Sequence, residues 1–72
     1  MRLFDKKILG DRLLELRTIK NIGQNQLAKE LGMGNSSISY WENGLKEPSA
    51  SSIWKMAQYF NVSADYLLGL ED

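Results

Sequence analysis

The sequence predicts an all-α domain of five short helices, and three observations carry that expectation. Apolar residues recur at steps of three and four along the chain, and β-branched runs of period two are absent. The intervals between apolar stretches are short and rich in Gly, Asn and Ser, as the connections of a compact helical domain are. The 72 residues are 43% apolar and 25% charged, which suits a single globular domain with one modest core and argues against disorder.

The first helix is expected over residues 7–20, where Leu9, Leu13 and Leu16 form one face that ends near Asn21. The second runs from Gly23–Gln24 to Leu31 and buries Leu27, Ala28 and Leu31. Gly32 follows where a helix stops in the left-handed conformation that glycine adopts without steric cost. The third is expected to start after Gly34 and end near residue 43, with Ile38 and Trp41 inward and Asn43-Gly44 as its stop. Ser49 is a good N-cap for a fourth helix that ends near Phe60 and buries Ile53, Met56, Ala57 and Phe60. Asn61 suits a left-handed stop. Ser63 caps a short fifth helix with Asp65 in its first turn, and Leu67 and Leu68 close the core.

Composition removes several chemistries. With no cysteine and no histidine, the chain lacks disulfides, thiolate or imidazole metal ligands and the usual nucleophile–base pairs. No acidic cluster suggests a metal, so no cofactor and no enzymatic activity are expected. The sequence has no long apolar run, hence no expected signal peptide or membrane span, and a cytoplasmic protein is the expectation. Nine basic and nine acidic residues balance to zero. Arg2, Lys6, Lys7, Arg12, Arg17 and Lys20 precede residue 21, whereas Asp65, Glu71 and Asp72 lie at the end. That polarity either presents one positive face or reflects no more than a short chain.

Residues 24–43 are the informative stretch. Two short helices flank a tight turn at Gly32, and Ala28 is small enough for the second helix to cross the first closely. Leu27, Leu31, Met33, Ile38 and Trp41 are apolar where such a pair must lock together. This is the helix-turn-helix design, in which the second helix enters the DNA major groove. The outer face of that helix carries Asn35, Ser36, Ser39, Tyr40 and Asn43. A solvated face would carry Lys and Glu. Short amides and hydroxyls that both donate and accept suit base edges and phosphate oxygens instead. Trp41 is read as core and Tyr40, off the inward stripe, as a groove contact. Trp54 is read as half exposed, Lys29 and Glu30 as solvated, and Leu14 and Ile19 as surface apolars.

Several separate pieces then resemble one family. They are Gly10-Asp11-Arg12-Leu13-Leu14-Glu15-Leu16-Arg17; Gln24 with Leu27-Ala28 and Leu31-Gly32; and Ser37-Ile38-Ser39 with Trp41-Glu42-Asn43-Gly44. Pro48-Ser49, Val62-Ser63 and Asp65-Tyr66-Leu67-Leu68-Gly69 complete the pattern. In that order, over residues 9–69, they resemble the phage repressor/Cro (XRE-type) helix-turn-helix domains. The resemblance implies that Gln24 bonds a DNA phosphate and braces the recognition helix. It places Asn35, Ser36, Ser39 and Tyr40 where relatives read bases, and Asn43 and Lys46 where they hold phosphate. It also puts Arg17 and Glu42 in a partly buried ion pair. Such a pair resolves a puzzle, because an acid near a helix C-terminus and near phosphates needs a cation. Departures from the pattern are Gly23 and Gly34 in place of hydroxyl caps, and a reading face without Arg, Lys or Gln.

The resulting expectation is sequence-specific binding of double-stranded DNA by a transcriptional regulator, most simply a repressor. A homodimer would set two recognition helices about 34 Å apart on a pseudo-palindromic operator, with residues 62–70 and the neighbouring helix surface as its interface. The other reading is a protein-interaction module on the same fold, of antitoxin or coactivator-like type, which net zero charge mildly favours.

Overall fold

In the computed structural model, which describes residues 3–71, the chain forms five helices. They are α1 (Lys6–Ile19), α2 (Gln24–Leu31), α3 (Ser37–Glu42), α4 (Ala50–Phe60) and α5 (Ala64–Leu68), with no strand among the described residues. Three helices begin on a side-chain cap that satisfies an otherwise unpartnered first-turn N–H. The Ser49 hydroxyl accepts from the Ser52 N–H at 3.2 Å and that of Ser63 from the Tyr66 N–H at 3.0 Å. The Asp5 carboxylate accepts from the Lys7 N–H at 2.9 Å, and this cap starts α1 one residue earlier than the apolar periodicity suggests.

All five helices end in the same device. Asn21, Gly32, Gly44, Asn61 and Gly69 adopt positive φ, and the residue after each sends its N–H back to the last turn. The bonds run from Ile22 to the Arg17 carbonyl, Met33 to Ala28, Leu45 to Tyr40, Val62 to Ala57 and Leu70 to Asp65. This Schellman closure satisfies carbonyls that the helix leaves open, and it needs a residue that tolerates the left-handed region.

The third helix departs from expectation. It begins at Ser37, not directly after Gly34, and Ser36 precedes it without a side-chain cap bond. Gly34, Asn35 and Ser36 form a turn closed by the Ser37 N–H donating to the Gly34 carbonyl at 3.2 Å. Three residues that all favour caps and turns compete for one boundary, and periodicity cannot choose among them. Asn35 and Ser36 therefore lie on the turn ahead of α3.

The core joins every helix. Leu9 and Leu13 of α1 meet Leu27, Ala28 and Leu31 of α2, Ile38 and Trp41 of α3, Met56 and Ala57 of α4 and Leu67 of α5. Ile53, Phe60, Met33, Leu16 and Leu68 pack against this cluster from its margin, so Ile53 and Phe60 are only partly buried. Trp41 is core, Trp54 is 64% exposed, and Leu14 and Ile19 face solvent. No helix among the described residues is long and apolar enough to cross a membrane.

Candidate nucleic-acid interface

α2 and α3, with the turn at Gly32, form the helix-turn-helix, and α1 lies behind α3 as its support. The approach of α1 depends on Gly10. A Cβ built there would lie 2.4 Å from the Trp41 carbonyl oxygen and 2.8 Å from that of Glu42. Both are backbone atoms and cannot swing aside. Any side chain at position 10 would push α1 away from the end of α3.

The second element of the support is polar. Arg17 Nε donates to Glu42 Oε2 at 2.7 Å and Nη2 donates to Oε1 at 3.1 Å, a two-pronged ion pair. The Glu42 side chain is 4% exposed and that of Arg17 16%. A third guanidinium N–H, on Nη1, donates to the Ile22 carbonyl at 2.9 Å, tying the α1–α2 turn to the same group. Gln24 Nε2 donates to Glu42 Oε1 at 2.8 Å. One carboxylate thus links α1, α2 and α3. The hydrogen bonds to Glu42 raise the Arg17 pKa above the usual guanidinium range, outweighing the opposite effect of burial. With one N–H of Gln24 held by Glu42, its amide retains a second N–H and a carbonyl oxygen.

The outer face is differently made. Asn35, Ser36, Tyr40 and Asn43 are exposed and Ser39 is half-buried. Asn43 Nδ2 donates to the Ser39 carbonyl at 2.9 Å and lies 3.4 Å from the Ser39 hydroxyl. Lys46, on the turn after α3, stands with Nζ 4.5 Å from the centre of the Tyr40 ring. Tyr40 is thus brought together with Lys46, and Ser36 lies one turn before it, its carbonyl accepting from the Tyr40 N–H at 3.0 Å, while Asn35 is exposed on the preceding turn.

Among the described residues, three of the cations before residue 21 are drawn into internal contacts. Arg17 is engaged with Glu42. Arg12 Nη1 donates to the carbonyls of Tyr66 and, at 2.6 Å, Glu71, and the guanidinium covers the Tyr66 ring at 4.4 Å. Lys20 lies over the Tyr59 ring at 4.8 Å. Arg2 and Asp72 are outside the described residues. Three of the six cations serve internal contacts because α1 carries them toward α3, α4 and α5 rather than to one side. Glu30, read as solvated, accepts from the Tyr59 hydroxyl at 2.9 Å.

Residues 13–67 match the helix-turn-helix family (HTH_3). The chain belongs to this family. Its helix-turn-helix relatives include the transcriptional regulator ImmR of Bacillus subtilis, 36% identical over 64 residues, which cover 89% of this chain and 50% of ImmR. The chain therefore spans about half the length of that curated relative. Among solved helix-turn-helix structures, the P22 c2 repressor in complex with a synthetic operator is similar, with a TM-score of 0.83 and 31% identity. That match covers 89% of this chain and 97% of the repressor chain. The restriction-modification controller C.AhdI from Aeromonas hydrophila gives 0.79 and 33%, covering 88% of this chain and 96% of the other.

Proposed function

We propose that this chain binds double-stranded DNA sequence-specifically as a cytoplasmic transcriptional regulator, most simply a repressor, with α3 in the major groove. The observation that carries the reading is the outer face of α3 and its preceding turn. It is exposed, short-armed and almost free of charge, whereas the inner face is locked by a shared carboxylate. A face that only needed solubility would not require such a rigid support. Asn35, Ser36 and Tyr40 read base edges, with Ser39 nearest the protein. Gln24, Asn43 and Lys46 take backbone phosphates. Gln24 couples the two roles, since the amide that meets phosphate also holds Glu42.

The reading includes a homodimer on a pseudo-palindromic site. A groove of about 580 Å³ is lined mainly by Leu3, Phe4, Ile8, Ile53, Leu68 and Leu70, with Asp5 and Glu47 at its wall. Leu3 and Leu70 are strongly exposed there. A second copy covering this groove would bury apolar surface that a monomer leaves in water.

Fluorescence anisotropy with random and selected duplexes across a salt series tests the function. About six phosphate contacts predict a log–log slope near −5, with tighter binding to the selected site. A well-folded protein that binds no duplex even at low salt contradicts DNA binding and favours the interaction-module reading.

A further inference from the structure

Lys46 touches the aromatic ring of Tyr40 on the reading face, and the backbone of the turn holds the two residues close together. Gly44 at φ 68° ends α3, its N–H donates to the Trp41 carbonyl at 3.1 Å, and the Leu45 N–H returns to the Tyr40 carbonyl at 2.9 Å. The residue next to Lys46 is thus bonded to the peptide of Tyr40 itself. The ammonium lies 4.5 Å above the ring centre, within reach of a cation–π attraction.

We infer that Lys46 is a positioning residue for Tyr40 and so a determinant of sequence discrimination, in addition to its contact with the phosphate backbone. The inference rests on the reading of α3 as the groove helix. An ammonium that only meets phosphate adds affinity to every duplex alike. One that also holds the tyrosine ring adds a preference, for two reasons. A tyrosine already fixed gives up less rotamer freedom when it meets the right base edge. Swinging aside to accommodate a wrong one also costs that contact. The covered face of the ring is closed to a thymine methyl, leaving the opposite face, the ring edge and the hydroxyl for the base. The three donors of the ammonium allow a phosphate to be held while the ring is covered.

Two measurements test this. In the free protein, the ring current of Tyr40 should shift the Lys46 methylene protons upfield in NMR spectra, and Tyr40→Ala should abolish that shift. In binding, Tyr40→Ala first identifies the base pair whose substitution no longer matters. Lys46→Met should then lower discrimination at that same base pair by about two- to fivefold, the worth of one exposed cation–π contact. Lys46→Arg, which keeps the charge and the stacking, should retain it. Loss of affinity by Lys46→Met that is uniform across all duplexes, with discrimination unchanged, overturns the inference and leaves DNA binding standing. Absence of the upfield shift overturns it as well. A protein that shows the shift yet binds no duplex overturns the DNA-binding reading, and this inference with it.

Discussion

Glu42 and Tyr40 lie two residues apart on α3, yet their surroundings differ in almost every respect. The Glu42 side chain is 4% exposed and holds three hydrogen bonds from groups on α1 and α2. Tyr40 is 38% exposed, and its ring meets a single cation from the following turn. Gly10 belongs with Glu42, since it lets the α1 backbone touch the end of α3. Asn35 and Ser36 belong with Tyr40, on the open side. The contrast shows how a six-residue helix is held in place from one side. So short a helix has little stability of its own. Its position comes from the side facing inward, which frees the outer side to be chosen for recognition.

That division predicts that changes behind α3 alter stability, whereas changes in front alter recognition. The largest effect should come from Arg17→Met, which strands a buried carboxylate and should destabilise by about 3 kcal/mol. A thermal melt reads this as a drop on the order of 15 °C for a domain of this size. An unchanged midpoint would mean that the pair is only a surface contact. The pair also has a pH signature. The folded pKa of Arg17 is raised, so its contribution is intact below the unfolded value and is lost only as pH rises through the folded one. The gap between wild type and Arg17→Met should therefore not depend on this arginine's titration from about pH 6 to 9.

Gly10→Ala should follow at about 2–3 kcal/mol, because the new methyl meets backbone carbonyls that cannot turn away. A melt that tolerates alanine there would show that α1 can retreat from α3 without loss. Ser49→Ala removes the N-cap bond of α4 and should lower stability by about 1 kcal/mol. Its DNA preference should match wild type once binding is measured under folded conditions. The smallest change in stability, within about 0.5 kcal/mol, is expected from Asn35→Ala and Tyr40→Ala. Both should nevertheless alter sequence preference, while Asn43→Ala should weaken all duplexes alike. Uniform loss from all three would place the groove contacts elsewhere.

The sequence makes the helix ends easy to read, because Gly32, Gly44 and Asn61 announce a left-handed stop through local chemistry alone. The inward stripe of α2 and α3 is legible for the same local reason, namely helical spacing. The start of α3 is less so, since Gly34, Asn35 and Ser36 all suit a boundary. The significance of Gly10 is hidden. Inside a helix a glycine reads as a weak propensity, and only the tertiary crossing reveals the carbonyls it admits. Arg17 and Glu42 are 25 residues apart, so no periodicity joins them. Their pairing comes from the family resemblance and from the need of a misplaced acid for a cation. The engagement of Arg12 with the end of α5, and of Lys46 with Tyr40, has no signal in spacing, because both depend on where a turn delivers the chain.

The outer face of α3 is proposed to recognise a particular duplex sequence. Selection of binding sites from a random duplex library by the wild-type protein tests it most directly. An enriched pseudo-palindrome with half-sites about one helical turn apart is expected, with a changed consensus for Tyr40→Ala. A pool that stays random after repeated selection by folded protein, or the same consensus from both proteins, would contradict it.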